Sequence, residues 1–160
     1  MEINPVQFNS IKKDAEEFYK NVKEIYCPYF QEMVAFNAKG LDHIKFKEWN
    51  KTRLVQDQFM RLKFLNIAPE IIKKSHTLQE YRESKNFERQ KINSRWERRM
   101  VAVRYYAFVA IIDGKRIKII IKKIEGGKKF FWSICPYWKQ KVNCNGVKEK
   151  ILHEGDLERQ

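Results

Sequence analysis

The spacing of hydrophobic and polar positions changes along this chain, and each change marks a predicted element. Phe8, Ile11, Ala15, Phe18, Val22 and Ile25 recur every three or four residues, while Lys12, Lys13, Glu16 and Lys20 take the other side. This is the pattern of an amphipathic helix, opened by Asn4-Pro5 and ended by Cys27-Pro28, because the residue before proline avoids helical dihedrals. Gln31 to Phe36 reads as a strand or extended segment running into a turn at Asn37-Ala38-Lys39-Gly40. A second helical region covers Thr52 to Asn66, with Leu54, Val55, Phe59, Leu62 and Leu65 inward. Ala68-Pro69-Glu70-Ile71-Ile72 predicts a short helix, and the capping-box pattern Thr77-Leu78-Gln79-Glu80 predicts another turn or two.

From Val101 to Lys139 the period becomes two, which predicts three consecutive strands. Asp113-Gly114 is a strong hairpin signal, since a two-residue type I′ turn needs positive φ at both positions. It pairs Ile112 with Lys115 and Val109 with Lys118. A second two-residue turn at Gly126-Gly127 would pair Ile121 with Trp132 and Ile120 with Ser133. One face then collects Tyr106, Phe108, Ala110, Ile117, Ile119, Ile121, Phe130, Trp132 and Ile134. The other carries Tyr105, Ala107, Val109, Lys118, Ile120, Lys122, Phe131, Ser133 and Cys135. A three-residue turn starting at Glu125 would slip the last strand by one residue and move Ser133 beside Ile119. Arg82 to Arg99 satisfies neither period and reads as a mobile basic loop, a helix with a thin apolar seam, or a solvated connection.

Composition narrows the class. The 160 residues suit one domain, expected over 1–139 with a peripheral tail over 140–160. No apolar run approaches the roughly 20 residues that span a bilayer, the N-terminus lacks a secretory pattern, and Cys27, Cys135 and Cys144 show no paired spacing. A soluble, cytoplasmic protein without a membrane partner is expected. The 33 Lys and Arg against 20 Asp and Glu, a net charge of +13, favour a polyanion, first of all nucleic acid.

The motifs for metal or cofactor chemistry are missing: there is no HExxH, CxxC or EF-hand loop, and His43, His76 and His153 have no ligand spacing. No cofactor or metal is expected. Metal-independent RNA cleavage asks for less, since the 2′-hydroxyl of the substrate is the nucleophile. The protein supplies a proton acceptor, cations for the phosphorane and an acid for the leaving oxygen. His43 suits proton transfer, Lys118 and Lys122 the charge, and Tyr105 or Ser133 a hydrogen bond to phosphate. Arg104, Lys39, Lys129 and Phe131 are candidate nucleic-acid contacts.

The order helix, Phe36-Asn37-Ala38-Lys39-Gly40-Leu41-Asp42-His43-Ile44, Pro69-Glu70-Ile71-Ile72, Arg104-Tyr105-Tyr106-Ala107-Phe108 and the Gly126-to-Ile134 hairpin resembles the phage-associated nuclease families of the barnase, EndoU, colicin and RelE class. The resemblance spans roughly Val34 to Lys139. It implies an α+β fold, with N-terminal helices packed on one face of a small antiparallel sheet and ribonuclease activity on the other. The helical histidine of the family would fall on His43 and its late-strand hydroxyl on Ser133. The expected function is a metal-independent endoribonuclease of toxin or phage-defence type, with RNA as substrate and an acidic antitoxin or immunity protein as a further partner. The alternative is a non-catalytic RNA- or DNA-binding module using the same face.

Overall fold

Asn4 begins the first helix by accepting a hydrogen bond from Val6 N at 2.9 Å through its side chain, with Pro5 at the first helical position. In the computed structural model, which describes residues 3–48 and 51–136, this helix is α1 (Pro5–Val22). It ends five residues before Cys27 because Lys23 turns to φ 58, and Glu24–Cys27 continues as strand β1. Ile25 fits both the helical and the strand period, and pairing with β2 (Glu32–Ala35) decides for the strand.

Asn37-Ala38-Lys39-Gly40 is a helix start rather than a turn. The Asn37 side chain accepts from Gly40 N at 3.2 Å and caps α2 (Ala38–Lys45). A small antiparallel pair, β3 (Phe46–Glu48) and β4 (Lys51–Thr52), leads to α3 (Val55–Phe64), a 3-10 turn at Leu65–Ile67 and α4 (Ala68–Lys73). The capping-box pattern at Thr77 to Glu80 starts no helix: Glu80 is the first residue of β5 (Glu80–Ile92).

β5 pairs along its length with β6 (Arg95–Ile112) through a two-residue turn in which Asn93 and Ser94 take φ 48 and 65. The basic Arg82–Arg99 stretch is therefore an ordered β-ribbon, neither loop nor helix. β7 (Lys115–Ile124) and β8 (Lys129–Pro136) follow. The expected small antiparallel sheet is a six-stranded mixed sheet in the order β1-β2-β8-β7-β6-β5, with β2 parallel to β8 at the single pair Ala35–Phe130. The fold is α+β. No helix among the described residues is long and apolar enough to cross a membrane. The tail predicted over 140–160, with His153 and Cys144, lies outside the described residues.

The Asp113-Gly114 turn forms with φ 50 and 72 and the predicted pairs Ile112–Lys115 and Val109–Lys118. The second turn behaves differently. Residues 125–128 form the loop, so Lys123 pairs with Lys129 and Ile121 with Phe131. A bulge between Ile120 and Ile121 then lets Trp132 through and restores the predicted pair Ile120–Ser133. The bulge exchanges the expected sides of three aromatics. Phe131 joins the main core with Ile119, Ile121 and Ile134, while Trp132 packs with Tyr105, Ala107 and Ile120 on the opposite face. Phe130, opposite Lys122, goes with Trp132, and their rings meet edge-on at 6.1 Å. Phe131 stacks on Phe36 at 5.0 Å between ring centres and meets Tyr19 edge-on. Burial of each such ring stabilises the fold by about 1.5–3 kcal/mol.

Candidate active site on the inner sheet face

The sheet face opposite the main core, called the inner face here, carries Tyr105, Lys118, Lys122, Trp132 and Ser133. α2 and α3 reach it along β8. Gly40 lets α2 approach so closely that a Cβ there would lie on the Phe131 carbonyl oxygen. Leu41 and Ile44 of that helix enter the main core, while His43 stacks on Trp132 with ring centres 3.9 Å apart and planes at 17°.

Two arginines outside the expected set complete the arrangement. Arg53, between β4 and α3, donates through Nε to the His43 carbonyl at 2.9 Å, and its Nη2 lies 3.0 Å from His43 Nε2. Arginine has no acceptor, so Nε2 accepts and the ring proton sits on Nδ1. Arg61 of α3 donates from Nη1 to Ser133 Oγ at 2.7 Å and to the Ile134 carbonyl at 2.9 Å. Asp57 joins the two guanidiniums, accepting from Arg53 at 3.1 Å and Arg61 at 2.7 Å. A connected chain thus runs from His43 through Arg53, Asp57 and Arg61 to Ser133.

These groups are close to dry: His43 is 6% exposed, Arg53 6% and Arg61 7%. Burial, then the neighbouring Arg61 charge, pulls the Arg53 pKa below its ordinary value against the pull of Asp57. Burial works to raise the Asp57 carboxyl, but Arg61 and Arg53 together outweigh it and hold the pKa below the ordinary 3.8. Holding two guanidiniums out of water beside each other is costly, and the Asp57 carboxylate that meets both offsets part of that cost.

Lys118 and Lys122 are also buried, at 2% and 4% exposure, and each meets a carboxylate of β5: Lys118–Glu80 at 3.2 Å and Lys122–Glu88 at 2.8 Å. Burial lowers the Lys118 pKa, with Glu80 opposing it. The Lys122 ammonium lies 4.1 Å from the Trp132 ring centre and 5.5 Å from that of Tyr105. Lys122 pairs with Tyr105, which pairs with Arg82, six residues before Glu88. A straight strand would carry Glu88 about 20 Å past Arg82. The 2.8 Å contact therefore means that the ribbon bends over the inner face. Trp132 Nε1 and Glu80 Oε1 are buried there with no hydrogen-bond partner among the described residues.

Of the other expected residues, Tyr105 shares the inner face and the rest do not gather there. Tyr105 is fully buried on the inner face. Lys129 binds Glu32 at 2.7 Å and lies over Phe30, away from His43. Arg104 is exposed and donates to Glu83 at 3.2 Å; Lys39 is exposed in the first turn of α2. Phe131, fully buried in the main core, has no face to offer a base. Arg53 and Arg61 carry no signal in the sequence, where both fall among the ordinary basic positions of the expected Thr52–Asn66 helix; only the contacts of Arg53 with His43 and of Arg61 with β8 single them out. Among the described residues no cluster of three or more His, Cys, Asp or Glu is placed to hold a metal ion. Comparison of the chain with protein-family models, curated proteins and solved structures finds no match in any of the three.

Proposed function

We propose that the protein is a metal-independent endoribonuclease acting at the inner face, of toxin or phage-defence type, with an acidic antitoxin as the partner suited to its +13 charge. The observation that carries this reading is the connected set His43–Arg53–Asp57–Arg61–Ser133, which links an imidazole, a hydroxyl and two guanidiniums from α2, the β4–α3 connection, α3 and β8. An incoming phosphodiester would draw Arg53 onto its non-bridging oxygens, releasing His43 Nε2 to accept the 2′-hydroxyl proton. The 2′-oxygen then attacks phosphorus to give a 2′,3′-cyclic phosphate as the bond to the 5′-oxygen breaks; the 5′-oxygen leaves as a hydroxyl with a proton taken from water, and His43 returns its proton to solvent. Arg61 and Arg53 balance the charge of the phosphorane, with Lys118 and Lys122 adding to the field. Ser133 accepts from Arg61 with its oxygen, so its O–H is left to donate to a phosphate or leaving-group oxygen. Purified protein should cleave RNA in the presence of EDTA. His43→Ala should lower kcat by about 100-fold or more in protein whose circular dichroism shows the fold retained at the assay temperature, with a lowered melting temperature because the buried ring stacks on Trp132 and accepts from Arg53.

The second reading, a non-catalytic nucleic-acid-binding module, is favoured by the seating of His43 Nε2 against Arg53 and by the two buried Lys–Glu pairs. Salt-sensitive RNA binding with the RNA left intact would select it.

A further inference from the structure

Beyond the inner face, we infer that the outward side of the β5–β6 ribbon is a docking surface for single-stranded nucleic acid, held by base stacking on Phe87 and Trp96 and by phosphate contacts to the arginines and lysines between them. The register Lys85–Ala102, Phe87–Met100, Arg89–Arg98 and Lys91–Trp96 puts these eight residues on one side, because paired residues of a sheet share a face. Phe87, Trp96 and Met100 are 60%, 60% and 59% exposed. Four cations and no carboxylate share this stretch, whereas the acidic residues Glu88 and Glu97 lie on the opposite side, where Glu88 binds Lys122. The Arg89 guanidinium lies 5.1 Å from the Trp96 ring centre, which couples a phosphate-binding group to a stacking plane. Three large apolar side chains left in water among cations match unpaired bases on a phosphate chain, each base bringing a π-face and each linkage a negative charge. A duplex hides its base faces and an acidic peptide offers few, so charge alone would not account for the aromatics.

The test is fluorescence anisotropy with a 2′-O-methyl oligouridylate, which lacks the nucleophile for cleavage, so binding is read whether or not the inner face is catalytic. Phe87→Ala and Trp96→Ala should each weaken binding about tenfold. The double variant Arg89→Gln/Arg98→Gln should reduce the slope of log K against log salt by about 1.4, at roughly 0.7 per phosphate contact. A duplex of equal length should bind in a manner insensitive to the aromatic changes. The inference is overturned if the aromatic variants bind the oligomer like the wild type, if duplex binding falls equally with Trp96→Ala, or if polyglutamate displaces the oligomer at equal charge concentration and itself depends on Trp96. All four side chains are exposed, so circular dichroism and melting curves should match the wild type in every variant.

Discussion

Asp57 is the residue on which the inner site turns, since it meets both arginines. Its carboxyl pKa is held below 3.8 in the folded protein. A depressed carboxyl pKa contributes stability that is present above the unfolded value and lost as pH falls through the folded one. Its side chain is 40% exposed, so solvent screens part of the effect. Asp57→Asn should lower the urea midpoint at pH 6, and the gap from wild type should narrow as the pH drops below 3.8. A gap that stays constant through that range would show that the carboxylate charge contributes nothing. His43 follows the same logic of contacts: the Arg53 bond holds Nε2 as an acceptor, the state that the proposed base requires.

At the level of elements, α2 is placed by the absence of a side chain. Gly40→Ala would put a methyl group on the Phe131 carbonyl oxygen and 2.6 Å from the Tyr19 hydroxyl, which itself donates to Asn37 O at 2.7 Å. Backbone cannot yield as a flexible side chain does, so α2 must move off β8. The expected loss is about 1–3 kcal/mol in urea unfolding, and movement of His43 off Trp132 should appear as a changed tryptophan emission. The β5–β6 turn points the other way. Ser94 holds φ 65, a left-handed conformation that costs a non-glycine residue roughly 1 kcal/mol. Ser94→Gly should therefore slow hydrogen exchange of the ribbon amides, with little effect on the amides of α1. Equal or faster exchange in the ribbon would show that the turn carries no such strain.

Over the whole molecule, two surfaces of different chemistry lie on opposite sides of the sheet and its ribbon extension. The inner face holds the imidazole, hydroxyl and guanidiniums, and the ribbon's outward side offers aromatics and cations to solvent. The ion pair Lys122–Glu88 lies on the side of the ribbon turned away from that second surface. If the inner face cleaves RNA, Trp96→Ala should raise KM about tenfold and leave kcat within about twofold, while His43→Ala should lower kcat and leave oligonucleotide affinity unchanged. A kcat loss in Trp96→Ala equal to that in His43→Ala would unite the surfaces into one site.

Local patterns were enough for much of the fold. Asn4-Pro5 and Asp113-Gly114 act through their own dihedrals and nearest hydrogen bonds, so α1 began and the β6–β7 turn closed where the residues alone required. Ile120–Ser133 was also correctly paired, though by a longer loop and a compensating bulge rather than a tight turn. The ribbon was hidden because its alternation is between polar residues of different exposure, and a water-facing two-stranded element needs no apolar period; Asn93-Ser94 was its remaining signal. The gathering of His43, Arg53, Arg61 and Ser133 was beyond any local reading. Arg61 and Ser133 lie 72 positions apart, and their meeting follows from how α3 packs along the edge of β8. Sequence determined which side chains with this chemistry were present and the local turns; tertiary packing decided which of them share one face, because burial pairs charges by position in space and not by order along the chain.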